Sequence, residues 1–157
     1  MIERLGTRFY HILLIEDSPA DVRLLMEACR ESKVPKRLHV ATDGLDALNF
    51  LFRRGDHHAA VRPDMIVLDL NIPILNGHEV LAHLKEDADL RTIPVIVLST
   101  SPARHDVRRA YDLGAACYIC KPLTMPEYFH VVEQAAHFWL TCATLPQRRY
   151  SSVAGWS

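Results

Sequence analysis

The sequence has few of the features that mark secreted, membrane-spanning or nucleic-acid-binding proteins. It contains only four cysteines in 157 residues, no apolar run of membrane-spanning length, and a net charge of −1. Nucleic-acid surfaces depend on clustered lysine and arginine, which this nearly neutral balance does not favour. The first apolar run, residues 12–15, is too short for the core of a signal peptide, and no small-residue cleavage site follows it. We therefore expect a cytoplasmic protein with reduced thiols that binds neither nucleic acid nor a membrane.

Length and composition indicate one compact domain. The chain is 49% hydrophobic and 24% charged, which provides enough apolar material for a full core. We expect a leader over residues 1–10, a folded domain over residues 11–141 and a tail over residues 142–157. The residues after position 140 are too few for a helix-turn-helix module, so we do not expect a DNA-binding output domain.

Short apolar runs alternate with helical patterns five times along the chain. The apolar runs predict strands at residues 11–15, 38–41, 65–68, 93–98 and 117–120. The helical patterns lie at residues 19–29, 45–52, 79–85, 104–113 and 127–140. Ser18 and Pro19 are typical of a helix start. The alternation favours an α/β protein with a parallel sheet and helices on both faces.

Two of the predicted helices have an apolar face that should pack on the sheet. In the first helix this face consists of Val22, Leu25, Met26 and Cys29. In the second helix it consists of Leu45, Leu48 and either Leu51 or Phe52. Leu24 lies off the first of these faces, so we expect it to be an exposed apolar contact.

Asp69 directly follows an apolar run at residues 65–68. Residues 65–68 have the length and β-branched character of a strand that is buried on both faces. Because burying an unpaired carboxylate is costly, Asp69 should occupy a polar site at the end of this strand. Pro73 and the Asn76-Gly77 pair indicate that the chain then leaves the sheet in a loop. Asp69 is thereby placed at the carboxyl edge, where open α/β sheets bind ligands.

Five polar side chains follow the predicted strands and should meet at that edge: Glu16, Asp17, Asp69, Ser99 and Lys121. Two carboxylates about 4 Å apart repel by roughly 4 kcal/mol at an effective dielectric constant of about 20, enough to protonate one or to recruit a cation. All-oxygen ligands favour a hard divalent ion, and magnesium fits better than zinc. A carboxylate beside such an ion can form an acyl phosphate, while a lysine and a hydroxyl bind the phosphoryl oxygens.

Each of these signals has an ordinary structural explanation when it stands alone. Glu16-Asp17 could be a solvated turn and Lys121-Pro122 the start of a loop; their joint placement after successive strands favours a functional site. A flavin-binding flavodoxin has the same layers, but its phosphate loop after the first strand needs uncharged hydrogen-bond donors. The acidic pair Glu16-Asp17 would repel the flavin phosphate there. A haloacid-dehalogenase-type phosphatase would need a second aspartate where this chain has Asn71.

Two motifs that could bind metal are also better explained by structure. His78 and His83 lie five residues apart, about 140° around a helix, which is wrong for a zinc-peptidase pair, and we expect both to face solvent. Cys117 and Cys120 point to opposite faces of a strand, so we interpret both as packing residues rather than a redox or zinc pair.

Taken together, these residues resemble the receiver domains of two-component response regulators over nearly the whole chain. The resemblance lies in the order and spacing of the acidic pair at 16–17, the 68–73 segment around Asp69, Ser99, Tyr118 and the Lys121-Pro122 pair. It implies a single doubly wound (βα)5 fold of the flavodoxin-like type, with a five-stranded parallel sheet in the order 2-1-3-4-5.

The resemblance also implies a role for the acidic residues. Asp69 would accept a phosphoryl group from a sensor histidine kinase. Magnesium would be held by Glu16, Asp17, Asp69 and the backbone carbonyl of Asn71. Glu16 departs from the family pattern, which often has Asp at this position, but its longer side chain should still reach an ion-bound water.

The remaining matched residues would detect the phosphoryl group. Ser99, or alternatively its neighbour Thr100, would move onto the phosphoryl oxygens, and the spacing to Lys121 favours Ser99. Lys121 would pair with the same oxygens, and Tyr118 would follow Ser99 inward.

A narrower resemblance is to the single-domain regulators that are paired with cyanobacterial and bacterial phytochromes. It rests on the Arg53-Arg54-Gly55 loop and on residues 138–140 and 143–146 near the end of the chain. It implies a light-sensing histidine kinase as phosphodonor and a homodimer formed through the fourth helix, fifth strand and fifth helix. The residues that we expect on the dimer face are Tyr118, Tyr128, Val132, Phe138 and Trp139.

The residues around the acceptor also indicate a kinase docking surface, which we predict to include Ala20, Leu24, Pro122 and Leu123. Phosphorylation would then change the partner surface near Tyr118. Two functions remain open at this point. The protein could signal to an unknown downstream protein, or it could be a phosphorelay shuttle that passes the phosphoryl group to another histidine-containing protein.

Overall fold

The computed structural model describes residues 9–146. The predicted leader therefore lies outside the described residues except for positions 9 and 10, and the predicted tail except for positions 142–146. None of the helices within the described part of the chain is both long and apolar enough to cross a bilayer.

Five parallel strands form one sheet in the order β2-β1-β3-β4-β5, as the sequence predicts. The strands are β1 (Tyr10–Ile15), β2 (Lys36–Ala41), β3 (Met65–Asp69), β4 (Val95–Ser99) and β5 (Cys117–Cys120). The helices are α1 (Pro19–Arg30), α2 (Gly44–Phe52), α3 (Gly77–Lys85), α4 (Arg104–Asp112) and α5 (Met125–His137). A π-helical turn (Phe138–Cys142) follows α5, and short 3-10 turns occupy Gly55–His57 and Leu90–Thr92.

The sheet separates two hydrophobic cores. Successive side chains of β1 alternate between them, with Leu13 and Ile15 on one face and Ile12 and Leu14 on the other. The first core contains residues from α2, α3 and α4, and the second contains residues from α1 and α5. Because both faces are covered, the central strands are apolar without alternation.

The register of the sheet brings four strand ends to one edge. Ile15 is aligned with Leu68, Asp69 with Leu98, and Ser99 with Cys120. The residue after β1 and the residue after β5 therefore lie near the ends of β3 and β4. The expectation of a shared carboxyl edge is confirmed.

The start of α1 is confirmed, but part of its predicted inner face is wrong. Ser18 caps the helix by accepting a hydrogen bond from the Asp21 N–H at 3.3 Å, and Pro19 occupies the first turn. Leu24, which we expected to be exposed, is only 7% exposed, whereas Val22 and Met26 are half-buried. The reason is that α5 covers the side of α1 that carries Leu24, within the second core.

The second and third helices each begin earlier than predicted. Asp43 is the N-cap of α2, and Gly44 is required at the first helical position because a Cβ atom there would overlap the Leu75 carbonyl oxygen. The expected inner residue Leu45 is 43% exposed, and Ala47, Leu48, Phe50 and Leu51 are buried instead. Asn76 caps α3 in a capping box with Glu79.

The earlier start of α3 explains one wrong expectation about the histidines. His78 lies in the first turn of α3, is only 8% exposed, and has its Nε2 3.3 Å from the Asp106 carbonyl oxygen. His83 is exposed, as expected. Cys117 is half-buried, but Cys120 is exposed and is not a packing residue.

The last helix has one buried stripe rather than an apolar surface all round. Tyr128, Val132 and Ala136 repeat every four residues and are buried in the second core. The expectation that Tyr128 and Val132 lie on a dimer face is therefore wrong, because α1 and the sheet already cover them. Phe138 is exposed and contacts the half-buried Trp139 edge to face, with the two ring centroids 5.4 Å apart.

Candidate functional site

Asp69 is the last residue of β3 and is held in place on both carboxylate oxygens. Its Oδ1 accepts a hydrogen bond from the Asn71 backbone N–H at 3.0 Å, and its Oδ2 lies 3.0 Å from Lys121 Nζ. The chain then turns back towards α3, and the Gly77 N–H donates to the Leu70 carbonyl at 2.9 Å. A Cβ atom on Gly77 would crowd the Asp69 carbonyl oxygen at 2.9 Å, so this loop packs tightly against the strand end.

The ammonium group of Lys121 lies among three carboxylates. Besides Asp69, its Nζ contacts Glu16 Oε1 at 2.8 Å and Asp21 Oδ2 at 2.8 Å. An ammonium has three N–H donors, so each donor meets one carboxylate. The side chain of Lys121 is nearly buried, and its Nζ is 5.7 Å from the centroid of the Tyr128 ring. We call Glu16, Asp17, Asp21, Asp69 and Lys121 the acidic pocket.

Burial and neighbouring charge shift the protonation of this pocket. Burial raises the pKa of the Glu16 carboxyl to about 7, the hydrogen bond from Lys121 opposes this shift, and Asp69 adds to it. Burial alone would lower the pKa of Lys121, but its hydrogen bonds to Asp21 and Glu16 and the charge of Asp69 raise it overall. Lys121 therefore stays charged, and Glu16 is readily protonated when no cation is bound.

Glu16, Asp17 and Asp69 can hold a metal ion together. One carboxylate oxygen from each lies within 4.8 Å of the others, and Asp17 is open to solvent while Glu16 and Asp69 are buried. The donor set consists only of oxygen, which suits a hard divalent cation such as Mg²⁺ or Mn²⁺. An ion at this position would offset the repulsion among the carboxylates. The predicted ligand Asn71 follows directly, with its backbone N–H on Asp69.

Ser99 and Tyr118 are connected through the loop that follows β4. Ser99 is fully buried, and its Oγ accepts a hydrogen bond from the Ser101 N–H at 3.1 Å. The Tyr118 hydroxyl donates to the Ser101 carbonyl oxygen at 2.7 Å. The Lys121 N–H donates to the Ser99 carbonyl oxygen at 2.8 Å, which joins the ends of β4 and β5. Thr100 is exposed.

The predicted docking residues surround the acidic pocket but differ in exposure. Ala20 is exposed, Pro122 is half-buried and Leu123 is fully exposed. Leu24 is buried, but it lines a groove between α1 and the start of α5. The other residues that line this groove are Ala20, Arg23, Glu27, Met125, Pro126 and Phe129.

Sequence reasoning missed two members of this site. Asp21 was not among the predicted site residues, yet its Oδ2 lies 2.8 Å from Lys121 Nζ. Tyr128 was predicted on a surface, yet its ring lies beside Lys121. One signal in the sequence could have indicated Asp21. It lies in the first turn of a helix that begins just after Glu16-Asp17, and helical side chains tilt towards the helix N-terminus, here towards the same sheet edge.

The chain is similar to characterised response regulators over most of its length. The family model for the response regulator receiver domain matches residues 12–133. Response regulator Rcp1 of Synechocystis sp. is 43% identical over 135 residues, which cover 86% of this chain and 92% of Rcp1. The phosphorylated cyanobacterial phytochrome response regulator RcpA has a TM-score of 0.86 at 44% identity, over 89% of this chain and 100% of RcpA. The Mn²⁺-bound form of Rcp1 also has a TM-score of 0.86, at 42% identity, over 88% of this chain and 99% of Rcp1.

The raised pKa of Glu16 predicts how stability changes with pH in the presence of a chelator. Glu16 binds its proton more tightly in the folded protein, where its pKa is about 7, than in the unfolded chain, where its carboxyl has its ordinary pKa of 4.5. Its contribution to stability is therefore fully present below pH 4.5 and is lost as the pH rises through 7. We expect the free energy of unfolding, relative to Glu16→Gln, to fall by about 1–3 kcal/mol between pH 5 and pH 8.

This difference can be measured by urea unfolding of both proteins at each pH. Glu16→Gln is the matched control because its amide keeps the shape of the side chain and stays neutral at every pH. A difference that is constant from pH 5 to pH 8 would contradict the assignment.

Proposed function

The chain belongs to the response regulator receiver family, whose members are phosphoacceptor signalling proteins, and from this premise we propose that Asp69 accepts a phosphoryl group from a sensor histidine kinase. The observation that carries the proposal is the position of the Asp69 carboxylate. It lies at the end of β3, with Lys121 Nζ at 3.0 Å and with Glu16 and Asp17 close enough to share one cation. A cytoplasmic location follows from the proposed kinase partner.

We propose that Mg²⁺ is the cation, held by Glu16, Asp17, Asp69 and the backbone carbonyl of Asn71. The oxygen-only donor set supports this choice, and the similar protein Rcp1 has been crystallised with Mn²⁺. When bound, the ion would supply charge neutralisation for the phosphoryl oxygens. The chain itself supplies the nucleophilic carboxylate of Asp69, and Lys121 supplies a buried positive charge for the remaining phosphoryl oxygen.

The proposed signal starts at Ser99. Phosphorylation adds about −1.5 to −2 units of charge and strong acceptor oxygens, which would attract the Ser99 hydroxyl. Ser99 Oγ would then give up its hydrogen bond from the Ser101 N–H. Because the Ser101 carbonyl also accepts from Tyr118, the movement would reach the surface formed by α4, β5 and α5.

A phytochrome histidine kinase is the proposed phosphodonor, since the similar protein RcpA is a phytochrome response regulator. We place its docking surface on Ala20, Pro122 and Leu123, beside the groove between α1 and α5 that Leu24 lines. Leu123 supports this placement because its side chain is fully exposed only two residues after Lys121. A kinase that covers Leu123 would bring its histidine close to Asp69.

Homodimerisation is proposed through the α4-β5-α5 face. β5 is an edge strand of the sheet, and an open edge can pair with another molecule. Tyr111 of α4 and Phe138 after α5 are large apolar side chains that are about half exposed. With Tyr118 and Trp139 they would form the contact, without the buried Tyr128 and Val132.

Phosphotransfer to Asp69 can be tested with a radiolabelled phytochrome-type histidine kinase. We expect Asp69→Asn to accept no label, because the amide is a poor nucleophile, and we expect a chelator to abolish labelling of the wild type. Asp112→Asn is the matched control, because Asp112 is an exposed carboxylate on α4. Undiminished labelling of Asp69→Asn would refute the proposal.

Kinase docking can be tested separately with Leu123→Asp. We expect kcat/KM for transfer from the kinase to fall about tenfold, because a charge replaces an apolar contact. Labelling by a low-molecular-weight acyl phosphate should be unchanged, since this donor needs no docking surface. Leu45→Asp is the control, because Leu45 is an exposed leucine on α2. Equal transfer rates from the kinase to wild type and Leu123→Asp would remove Leu123 from the surface.

The dimer can be tested by light scattering with and without Mg²⁺ and beryllium trifluoride, a phosphoryl mimic. We expect a mass of two chains for the wild type and of one chain for Phe138→Asp, because the variant places a charge in the apolar contact. Leu45→Asp serves again as the control. A wild-type mass that stays at one chain under all conditions would eliminate the dimer.

A further inference from the structure

Among the residues that the structure describes, three carboxylates contact Lys121, and Asp21 is the one that neither the proposed ion nor the proposed phosphoryl transfer uses. Its Oδ2 lies 2.8 Å from Lys121 Nζ, as close as the Glu16 oxygen and closer than the Asp69 oxygen at 3.0 Å. Its side chain is 22% exposed, whereas that of Lys121 is 7% exposed. Asp21 is thus a direct partner of the lysine at the rim of the pocket.

All three donors of Lys121 are occupied in this arrangement. Glu16, Asp21 and Asp69 each accept one hydrogen bond, and the ring of Tyr128 lies on a further side of the ammonium. A phosphoryl group on Asp69 needs one or more of these donors. Glu16 can give up its hydrogen bond from Lys121 when a cation binds the Glu16 carboxylate. On phosphorylation the carboxyl group of Asp69 becomes a neutral acyl group, and the negative charge then lies on the phosphoryl oxygens. Asp21 takes part in neither the proposed ion site nor the acyl phosphate, so its hydrogen bond from the lysine persists.

We infer that Asp21 is a positioning residue that competes with the phosphoryl group on Asp69 for Lys121. It keeps one donor directed towards α1 and thereby weakens the hold of the lysine on the phosphoryl group. The inference rests on the proposed function of Asp69. It adds that α1 tunes how firmly the pocket binds a phosphoryl group.

The capping geometry of α1 fixes Asp21 in this role. The Asp21 backbone N–H donates to the Ser18 hydroxyl at 3.3 Å, which orients the first turn of the helix. The Ser18 N–H in turn donates to Glu16 Oε2 at 3.2 Å. The segment that carries Asp21 is therefore attached to the same pocket, and loss of its carboxylate charge should leave the backbone in place.

The test measures the apparent Kd for beryllium trifluoride at saturating Mg²⁺, followed by ¹⁹F NMR. We expect Asp21→Asn to bind the mimic about three- to tenfold more tightly than the wild type, because a competing hydrogen bond to a charged group is weakened. The single variant Asp21→Glu should bind the mimic with a Kd within about twofold of the wild-type value, since it keeps the carboxylate. Unchanged or weaker binding by Asp21→Asn would overturn the inference.

A Lys121→Gln background separates competition from a simple loss of negative charge. The hydrogen-bond donor that Asp21→Asn frees belongs to the Lys121 ammonium, which Lys121→Gln removes. The double variant should therefore bind beryllium trifluoride no more tightly than Lys121→Gln alone. Tighter or restored binding there would overturn the inference. Glu27→Gln controls for a charge removed elsewhere on α1, because Glu27 is exposed and pairs with Arg30. Failure of the wild type to bind the mimic at all would instead refute the proposed function of Asp69, on which the inference rests.

Discussion

The contact of one buried ammonium with three carboxylates organises this protein. Without Lys121, Glu16, Asp21 and Asp69 would leave several negative charges at the end of an apolar sheet, where carboxylates about 4 Å apart repel by roughly 4 kcal/mol per pair. The lysine offsets this repulsion in the free protein through contacts of 2.8 to 3.0 Å. It cannot satisfy every charge, because Asp17 adds a further carboxylate at the open side of the pocket. The remaining excess of negative charge is what suits the pocket to a divalent cation.

The sheet makes this contact possible by joining distant parts of the chain. Lys121 and Asp21 are 100 positions apart, and Lys121 and Asp69 are 52 positions apart. Parallel strands place their carboxyl ends together, and the Lys121 N–H on the Ser99 carbonyl fixes the last of these ends. The same edge connects the pocket to Tyr118 through Ser101. Two hydrogen bonds with Ser101 thus join Ser99, at the end of β4, to Tyr118 on β5.

The sequence could predict the position of the polar edge but not all of its contacts. The alternation of strand and helix patterns and the turn residues around Asp69 were enough for a parallel sheet with a shared polar edge, because these follow from local pattern and parallel topology. The strand order came from the resemblance to receiver domains. The predicted similarity to phytochrome response regulators is confirmed by the identities to Rcp1 and RcpA, and it rested on the loop at 53–55 and on residues after α5 rather than on the strand ends. Leu24 was misplaced because the apolar face of α1 alone does not reveal that α5 packs beside it. Asp21 was missed because its partner lies across the sheet edge, which helix pattern cannot show.

The most direct test of this account is to locate the phosphoryl group chemically. The protein would be incubated with a low-molecular-weight acyl phosphate and excess Mg²⁺, reduced with borohydride, which converts an aspartyl phosphate to homoserine, and mapped by peptide mass spectrometry. The account predicts conversion at Asp69 and at no other carboxylate, with none when a chelator replaces Mg²⁺. Conversion at Glu16, Asp17 or Asp21, or an unmodified Asp69 in excess Mg²⁺, would contradict it.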